Sequence, residues 1–145
     1  MKPKQLYRID IALIPTAIAT AISGFTLHLA GHGTSHETWH NIALLHTLSG
    51  LAMLALGALH IHAHWGWYKG LLRGKTQGKS LLTTSLSCIF IAAAITGIVA
   101  LPLHFAPNTG LGLWHYAIGI LLIIISTVHI VLRMRLLSRL KKATR

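Results

Sequence analysis

The stretch HTLSGLAMLALGALHI, from His46 to Ile61, is an apolar run with one histidine at its start and a second histidine fourteen positions later. Together with the apolar residues just before it, the run reaches the ~20 residues that a helix needs to cross the hydrocarbon core of a bilayer. A second stretch, HYAIGILLIIISTVHI from His115 to Ile130, has the same arrangement. The two stretches predict two membrane-spanning helices that carry histidines at matching positions.

The composition of the whole chain agrees with a membrane location. Of its 145 residues, 53% are hydrophobic and only 10% are charged, a balance that favours lipid over water as the solvent. Four segments are long and apolar enough to span a bilayer. We therefore predict an all-α membrane protein, a single domain over residues 1–145 folded as a bundle of four transmembrane helices. The predicted spans are about Ile11 to Leu29, Ile42 to Ile61, Leu81 to Leu103 and Leu113 to Leu132.

The basic residues predict how these helices are oriented. All 13 Lys and Arg residues lie before the first span, between the second and third, or after the fourth, and the two other loops have none. Under the positive-inside rule both termini and the middle loop are cytoplasmic, in a multi-pass protein of the bacterial cytoplasmic (inner) membrane. This distribution explains the formal net charge of +11 without nucleic-acid binding. The three basic groups are Lys2, Lys4 and Arg8; Lys69, Arg73, Lys75 and Lys79; and Arg133, Arg135, Arg139, Lys141, Lys142 and Arg145.

The first and third spans share a sequence pattern. AIATAISGF, from Ala17 to Phe25, resembles FIAAAITGI, from Phe90 to Ile98. The internal copy indicates that the first helix is retained and is not a signal peptide. The chain is thus predicted to be a duplicated helical hairpin with halves at about 8–73 and 80–139. Two copies of a two-helix unit run in the same sense, so the second and fourth helices are expected to be parallel.

The spacing of fourteen residues determines where the histidines point. Fourteen residues complete four helical turns less about 40°, so both histidines lie on nearly one face, about 21 Å apart along the axis. His46 is expected to face His115 near the outer side, and His60 to face His129 near the cytoplasmic side. Two imidazoles can fill both axial positions of a haem iron. We predict these four residues to be the ligands of two b-type haems, since the sequence has no CxxCH motif for covalent attachment.

Small residues recur at the same offsets from the predicted ligands. Gly50 and Gly119 follow the first histidine of each helix by four residues, and Gly57 and Ser126 precede the second by three. They are predicted to line the haem sites, where a small side chain lets a flat ring approach the backbone. Small residues also serve helix packing in membranes, which is the alternative reading.

Two further residues lie one turn closer to the cytoplasm on the same helix faces. His64 comes four residues after His60, and Arg133 comes four residues after His129. Both are predicted to donate hydrogen bonds to a haem propionate. His64 is also an alternative to His60 as an iron ligand, but its repeat partner Arg133 has no acceptor nitrogen, which favours His60.

Another group of histidines lies toward the outer ends of the helices. His28 and His104 occupy near-equivalent places after Gly24 and Gly97. They are predicted to bind the cofactors through propionate contacts, to form a quinol site, or to exchange protons with the outer water. An interfacial cluster without such a role, or a metal site formed by three of its histidines, is the alternative. The other members of the group are His32, His36, His40 and Glu37.

These motifs resemble those of the four-helix flavinylation-associated b-type cytochromes of bacteria. That family carries Thr/Ser-Gly-x-x-x-His at the end of one helix, followed by a His-rich second helix that ends in His-Trp. The resemblance implies an outer-face redox partner with covalently attached flavin. The fourth helix departs from the family by ending in HIVLRMR, and the paired helices also resemble the cytochrome b of quinol-oxidising complexes in geometry. The matching residues are Ser23, Gly24 and His28, then His46, His60, His64 and Trp65.

Three functions follow from the sequence as hypotheses. The first is a dihaem b-type cytochrome that carries electrons between a quinol or cytoplasmic donor and an outer-face redox partner, alone or as the membrane subunit of an oxidoreductase. The second is a quinone-linked oxidoreductase that reduces a small oxidant such as superoxide. The third is a histidine-rich metal-binding or transport protein. The sequence assigns no catalytic residue in any of them.

Overall fold

The protein is an all-α bundle. A computed structural model describes residues 3–30, 33, 35–74, 80–101 and 110–143, and these ranges contain five helices and no strand. Four of the helices are long and apolar enough to cross a membrane, which confirms the predicted fold class. The helices are α1 (Pro3–Ala30), α2 (His36–Ala63), α3 (Trp65–Leu72), α4 (Ser80–Ala100) and α5 (Gly110–Ala143).

The membrane-spanning helices differ from the predicted spans mainly at their ends. α1 begins at Pro3, and α5 continues to Ala143, well past the apolar segment. Lys and Arg are good helix formers, so a helix can continue through a basic segment after its apolar part has ended. α4 ends at Ala100, two residues before Pro102, because a residue that precedes a proline is disfavoured in the helical conformation.

The short helix α3 is a feature that the sequence did not predict. It follows α2 directly at His64, whose backbone N–H still donates to the carbonyl of His60 at 3.1 Å. Its Tyr68 hydroxyl lies 2.7 Å from the Ser87 hydroxyl of α4. The Trp and Tyr residues that follow α2 therefore belong to a helix that is anchored on α4. Eight residues are too short to display a helical period in the sequence, so this helix escaped prediction.

In the bundle, α1 packs against both α2 and α5. Extended backbone contacts join α1 to α2, α1 to α5, and α4 to α5. Within the described ranges, no packing of comparable extent joins α2 to α5. These two helices instead approach each other through the side chains of His46 and His115.

The outer surface of the bundle is apolar. Large hydrophobic side chains on every spanning helix are half or more exposed, such as Ile22, Leu48, Ile95 and Ile124. A water-soluble monomer rarely exposes so large a contiguous apolar surface. With four spanning helices, this surface identifies a multi-pass membrane protein whose helices contact lipid.

Gly57 of α2 leaves room for the Phe90 side chain of α4. It is buried, and a Cβ added there would overlap the outer edge of the Phe90 ring. The structure thus gives Gly57 a role in helix packing, the alternative noted for the small residues above.

We expect Gly57→Ala to lower the free energy of unfolding by up to about 2 kcal/mol, because overpacking costs about 1–3 kcal/mol and the gain in helix propensity offsets about 1 kcal/mol of that cost. Unfolding in detergent with increasing denaturant measures the change. Phe90→Leu, which removes the clashing ring edge, should restore stability when combined with it. The matched control is Gly66→Ala in α3, where an added Cβ meets nothing within 4 Å; equal losses at both positions would contradict the packing role.

Candidate functional site

His46 of α2 and His115 of α5 face each other across the bundle. Their ring centres are 6.1 Å apart and their planes are inclined at 72°. We call these two residues the first histidine pair. Since the described parts of α2 and α5 make no extended backbone contact, the pair is a side-chain link between two helices that both pack against α1.

The imidazole of His46 is fixed by groups of α1. Its Nδ1 lies 3.1 Å from the carbonyl oxygen of Thr20 and 3.3 Å from the hydroxyl of Ser23. The Ser23 hydroxyl donates its own hydrogen to the carbonyl of Ala19 at 2.7 Å, so its oxygen is left to accept. Both neighbours of Nδ1 are therefore acceptors, which places the ring hydrogen on Nδ1 and leaves the Nε2 lone pair free to ligate a metal.

His115 is held in the same way by the other half of the chain. Its Nδ1 lies 2.9 Å from the hydroxyl of Thr96, and it makes a hydrogen bond to the backbone of Ala93. The Thr96 hydroxyl donates to the carbonyl of Ala92 at 2.8 Å. The same reasoning again leaves Nε2 as the free nitrogen, so the two imidazoles present equivalent lone pairs.

Glycine makes room for both rings. A Cβ at Gly24 would lie 2.8 Å from Cε1 of His46, and one at Gly97 would lie 3.0 Å from Cε1 of His115. Each Ser-Gly or Thr-Gly dipeptide thus supplies a hydroxyl that contacts Nδ1 and a glycine without a side chain, against which the ring can pack. The sequence alignment had used these dipeptides only to match the two halves.

A second cluster of polar side chains lies near the start of α1, fourteen residues along α2 from His46. Nδ1 of His60 is 2.8 Å from Oδ1 of Asp10. An ionised carboxylate has no hydrogen to donate, so the His60 ring donates and Asp10 accepts. The His64 ring centre is 4.7 Å from that of His60. The ligand atoms of Asp10, His60 and His64 lie within 4.8 Å of one another, close enough to hold a metal ion.

His129 of α5 belongs to the same neighbourhood. It interacts electrostatically with His60, His64, Asp10 and Arg133. Its Nδ1 is buried and has no hydrogen-bond partner in the part of the chain that the structure describes. A buried ring nitrogen without a partner costs about 1–3 kcal/mol, which is the kind of cost that ligation by a neutral imidazole removes. We call Asp10, His60, His64 and His129 the second cluster.

His64 lies just beyond the end of α2, and its environment favours the neutral ring. Burial lowers the pKa of His64 below its ordinary value, and the nearby His60 and Arg133 lower it further, while Asp10 acts in the opposite direction. These surroundings favour the neutral ring, which offers one N–H donor and one free lone pair.

Asp10 is the functional residue that sequence reasoning missed. Its partner His60 is fifty positions away in the chain, and no short motif joins them. The available signal was its rarity, because the chain has only two acidic residues and this one precedes an apolar span. An acid next to a membrane segment is expected to have a partner.

The other predicted site residues have varied surroundings. His28 of α1 stacks on Tyr116 of α5, with ring centres 3.9 Å apart and planes inclined at 14°, one residue from His115. A Cβ at Gly50 or Gly119 would meet nothing within 4 Å, so both positions border open space. Ser126 is half-buried and Arg133 is exposed. His32 and His104 lie outside the described residues, and His36, Glu37 and His40 are exposed near the start of α2.

The first histidine pair fits an axially ligated metal. An imidazole nitrogen ligates a first-row metal at about 2.0–2.1 Å and lies about 1.1 Å from its ring centre, so two trans ligands have ring centres about 6.3 Å apart. The observed 6.1 Å agrees with this value. The inclination of the two planes is free in such a pair, because each ring binds through a single lone pair.

The fold and these sites define a polytopic membrane protein whose helices bring together a facing pair of histidines, His46 and His115, and a separate group, Asp10, His60 and His64, that could hold a metal ion. No family model matches the chain, and neither the curated proteins nor the solved structures contain a significant match.

Proposed function

We propose that the protein is a dihaem b-type cytochrome that carries electrons across the bacterial cytoplasmic membrane, between a quinol or cytoplasmic donor and an outer-face redox partner. The observation that carries this proposal is the 6.1 Å separation of the His46 and His115 rings, with both Nδ1 atoms engaged by acceptors. Iron porphyrin, when bound, supplies a one-electron couple whose two filled axial positions favour electron transfer.

The roles of the chain's own residues follow from their contacts. Ser23, Thr96 and the neighbouring carbonyls hold the two rings of the first pair through their Nδ1 atoms, which leaves each Nε2 lone pair available to a metal. Asp10 does the same for His60 in the second cluster. The two levels are separated by fourteen residues of helix, about 21 Å, so an electron could cross most of the hydrocarbon core in one step between them.

The orientation and the partner rest on the sequence. The positive-inside distribution puts the second cluster at the cytoplasmic end and the first pair toward the outer end. The resemblance to flavinylation-associated cytochromes supports an outer-face partner with covalently bound flavin. The stacked His28 and Tyr116 rings lie beside the first pair, where such a partner or a quinol would exchange electrons.

A haem assay on the purified chain tests the proposal. After expression with ample haem and purification in detergent, we expect about two haems per chain and a reduced-minus-oxidised spectrum with the sharp bands of paired imidazole ligation. A colourless protein under these conditions would refute the proposal.

A second function has one observation in its favour. Asp10, His60 and His64 together form a donor set that suits a transition metal such as Zn²⁺. This supports the metal-binding alternative, at the second cluster and independently of the outer histidines. The metal-binding alternative requires that the purified protein be colourless and bind about one metal ion per chain. His64→Ala should then abolish metal binding, and this result would exclude two haems per chain.

A further inference from the structure

The two histidine levels differ in how their ring nitrogens are held. In the first pair both Nδ1 atoms contact a neutral hydroxyl and a backbone acceptor, at matching positions in the two halves. In the second cluster His60 is bonded to a carboxylate, whereas Nδ1 of His129 has no partner among the described residues. The bundle is nearly symmetric at one level and asymmetric at the other.

A single charge produces this asymmetry. The shift of 73 positions that matches Ser23-Gly24 with Thr96-Gly97 places Thr83 opposite Asp10 in the second half. The only other acidic residue, Glu37, is exposed near the start of α2, far along the helix from His60. One of the four predicted ligands is thus hydrogen-bonded to a negative group.

We propose that Asp10 is a positioning residue that makes the second cluster the lower-potential of two haem sites and so directs electrons toward the first pair. The inference rests on the proposed function. A hydrogen bond from Nδ1 to a carboxylate gives the imidazole partial anionic character and makes it a more basic ligand. A more basic ligand stabilises the ferric state over the ferrous state, which lowers the potential.

The electron balance of this step is simple. A one-electron cytoplasmic donor, or a quinol that gives up its two electrons in turn and releases two protons, would reduce the second site. Each electron would then pass to the first site, which is reduced as the second is reoxidised. No covalent bond forms or breaks between the two levels. Since the second cluster lies at the cytoplasmic end by the positive-inside rule, the net movement is outward.

Cations near the second cluster oppose Asp10 but act less directly. Arg133 is exposed, so solvent and salt screen its charge. Asp10 has a side chain only 18% exposed, and it contacts the ligand ring itself at 2.8 Å. The negative charge of Asp10 is therefore both the least screened charge in the cluster and the one closest to the predicted ligand His60.

Potentiometric titration of Asp10→Asn tests the inference. Asn keeps the size of the side chain and a hydrogen-bond acceptor but removes the charge. Loss of a second-shell partner of this kind typically changes a metal equilibrium about 10- to 100-fold, and a tenfold change equals about 59 mV for one electron. We expect the lower midpoint to rise by roughly 60–120 mV and the higher one to stay in place. Glu37→Gln, which removes the same charge elsewhere, should move neither midpoint.

Two further variants keep the outcome decisive. Asp10→Glu retains the carboxylate, so its lower midpoint should stay near that of the unaltered protein even if Asp10→Asn binds haem poorly. A shift in Asp10→Glu as large as that in Asp10→Asn would overturn the role of the charge. The single-site variant His46→Ala, which keeps the second site, should have a lower midpoint than His60→Ala; the reverse order would also overturn it.

Failure of this inference is distinguishable from failure of the proposed function. If Asp10→Asn holds two haems with unchanged midpoints, Asp10 does not set the potential, and the protein is still a dihaem cytochrome. If the unaltered protein contains no haem, the proposed function itself is wrong.

Discussion

Replacement of His46 by alanine is expected to remove about half of the bound haem and leave the other half spectrally unchanged. In the proposed cytochrome the two imidazoles of a pair would hold one haem, so loss of either would leave its iron with a single protein ligand. His115→Ala should give the same result, because the two residues form one pair with ring centres 6.1 Å apart. His60→Ala and His129→Ala should each remove the other half.

The measurement is haem per chain together with the reduced-minus-oxidised spectrum of each purified variant. His62→Ala is the matched control, since His62 is an exposed histidine on the same helix and should retain both haems. The double variant of His46 and His60 should be colourless. Loss of both haems from one single replacement, in a protein that remains folded, would argue for one shared site and against two levels.

The same series decides between His60 and His64 as the ligand on α2. His60 has its Nδ1 bonded to Asp10, which leaves Nε2 available, and its repeat partner His129 is in the same cluster. We therefore expect His64→Ala to keep two haems, with at most a shifted midpoint. A His64→Ala protein that loses one haem while His60→Ala keeps both would transfer the ligand role to His64.

The sequence predicted the four membrane-spanning helices, because each is determined by the average hydropathy of a long segment. Hydropathy is summed over about twenty residues, so the four spans are clear even though no single residue defines them. Their ends are less clear, because a helix such as α5 continues through Arg133 into a basic segment where hydropathy has already changed sign. α3 was missed because its eight residues lie outside the apolar spans and are too few to show a helical period of their own.

The parts of the site that sequence could not predict depend on contacts between distant residues. Spacing along one helix gives the relative direction of His46 and His60, because helical geometry is fixed. It says nothing of Asp10, which reaches His60 only once α1 lies against α2. It also left open whether a small residue faces a ring or a neighbouring helix; Gly57 contacts Phe90, whereas Gly50 borders open space.

The roles of Gly24 and Gly97 also depend on contacts between distant residues, and replacing either glycine is the second change with a large expected effect. The sequence marked both as matching positions of the repeat, but only the structure brings each against an imidazole. A methyl group at Gly24 would lie 2.8 Å from Cε1 of His46, closer than real Cβ atoms approach, so the ring would have to turn away. That movement would also break the hydrogen bonds of Nδ1 to Thr20 and Ser23.

Gly24→Ala is accordingly expected to weaken haem binding at the first pair while the second site keeps its haem. Overpacking costs about 1–3 kcal/mol, which corresponds to an affinity about 5- to 150-fold lower. Gly97→Ala should have a smaller effect of the same kind, because its Cβ would be 3.0 Å from Cε1 of His115. Haem loss to an excess of a haem-binding acceptor protein measures both, and Gly66→Ala in α3 serves as the control. If Gly24→Ala releases its haem no faster than Gly66→Ala, the His46 ring does not need the space that the glycine leaves, and its position against α1 is not what holds the first pair together.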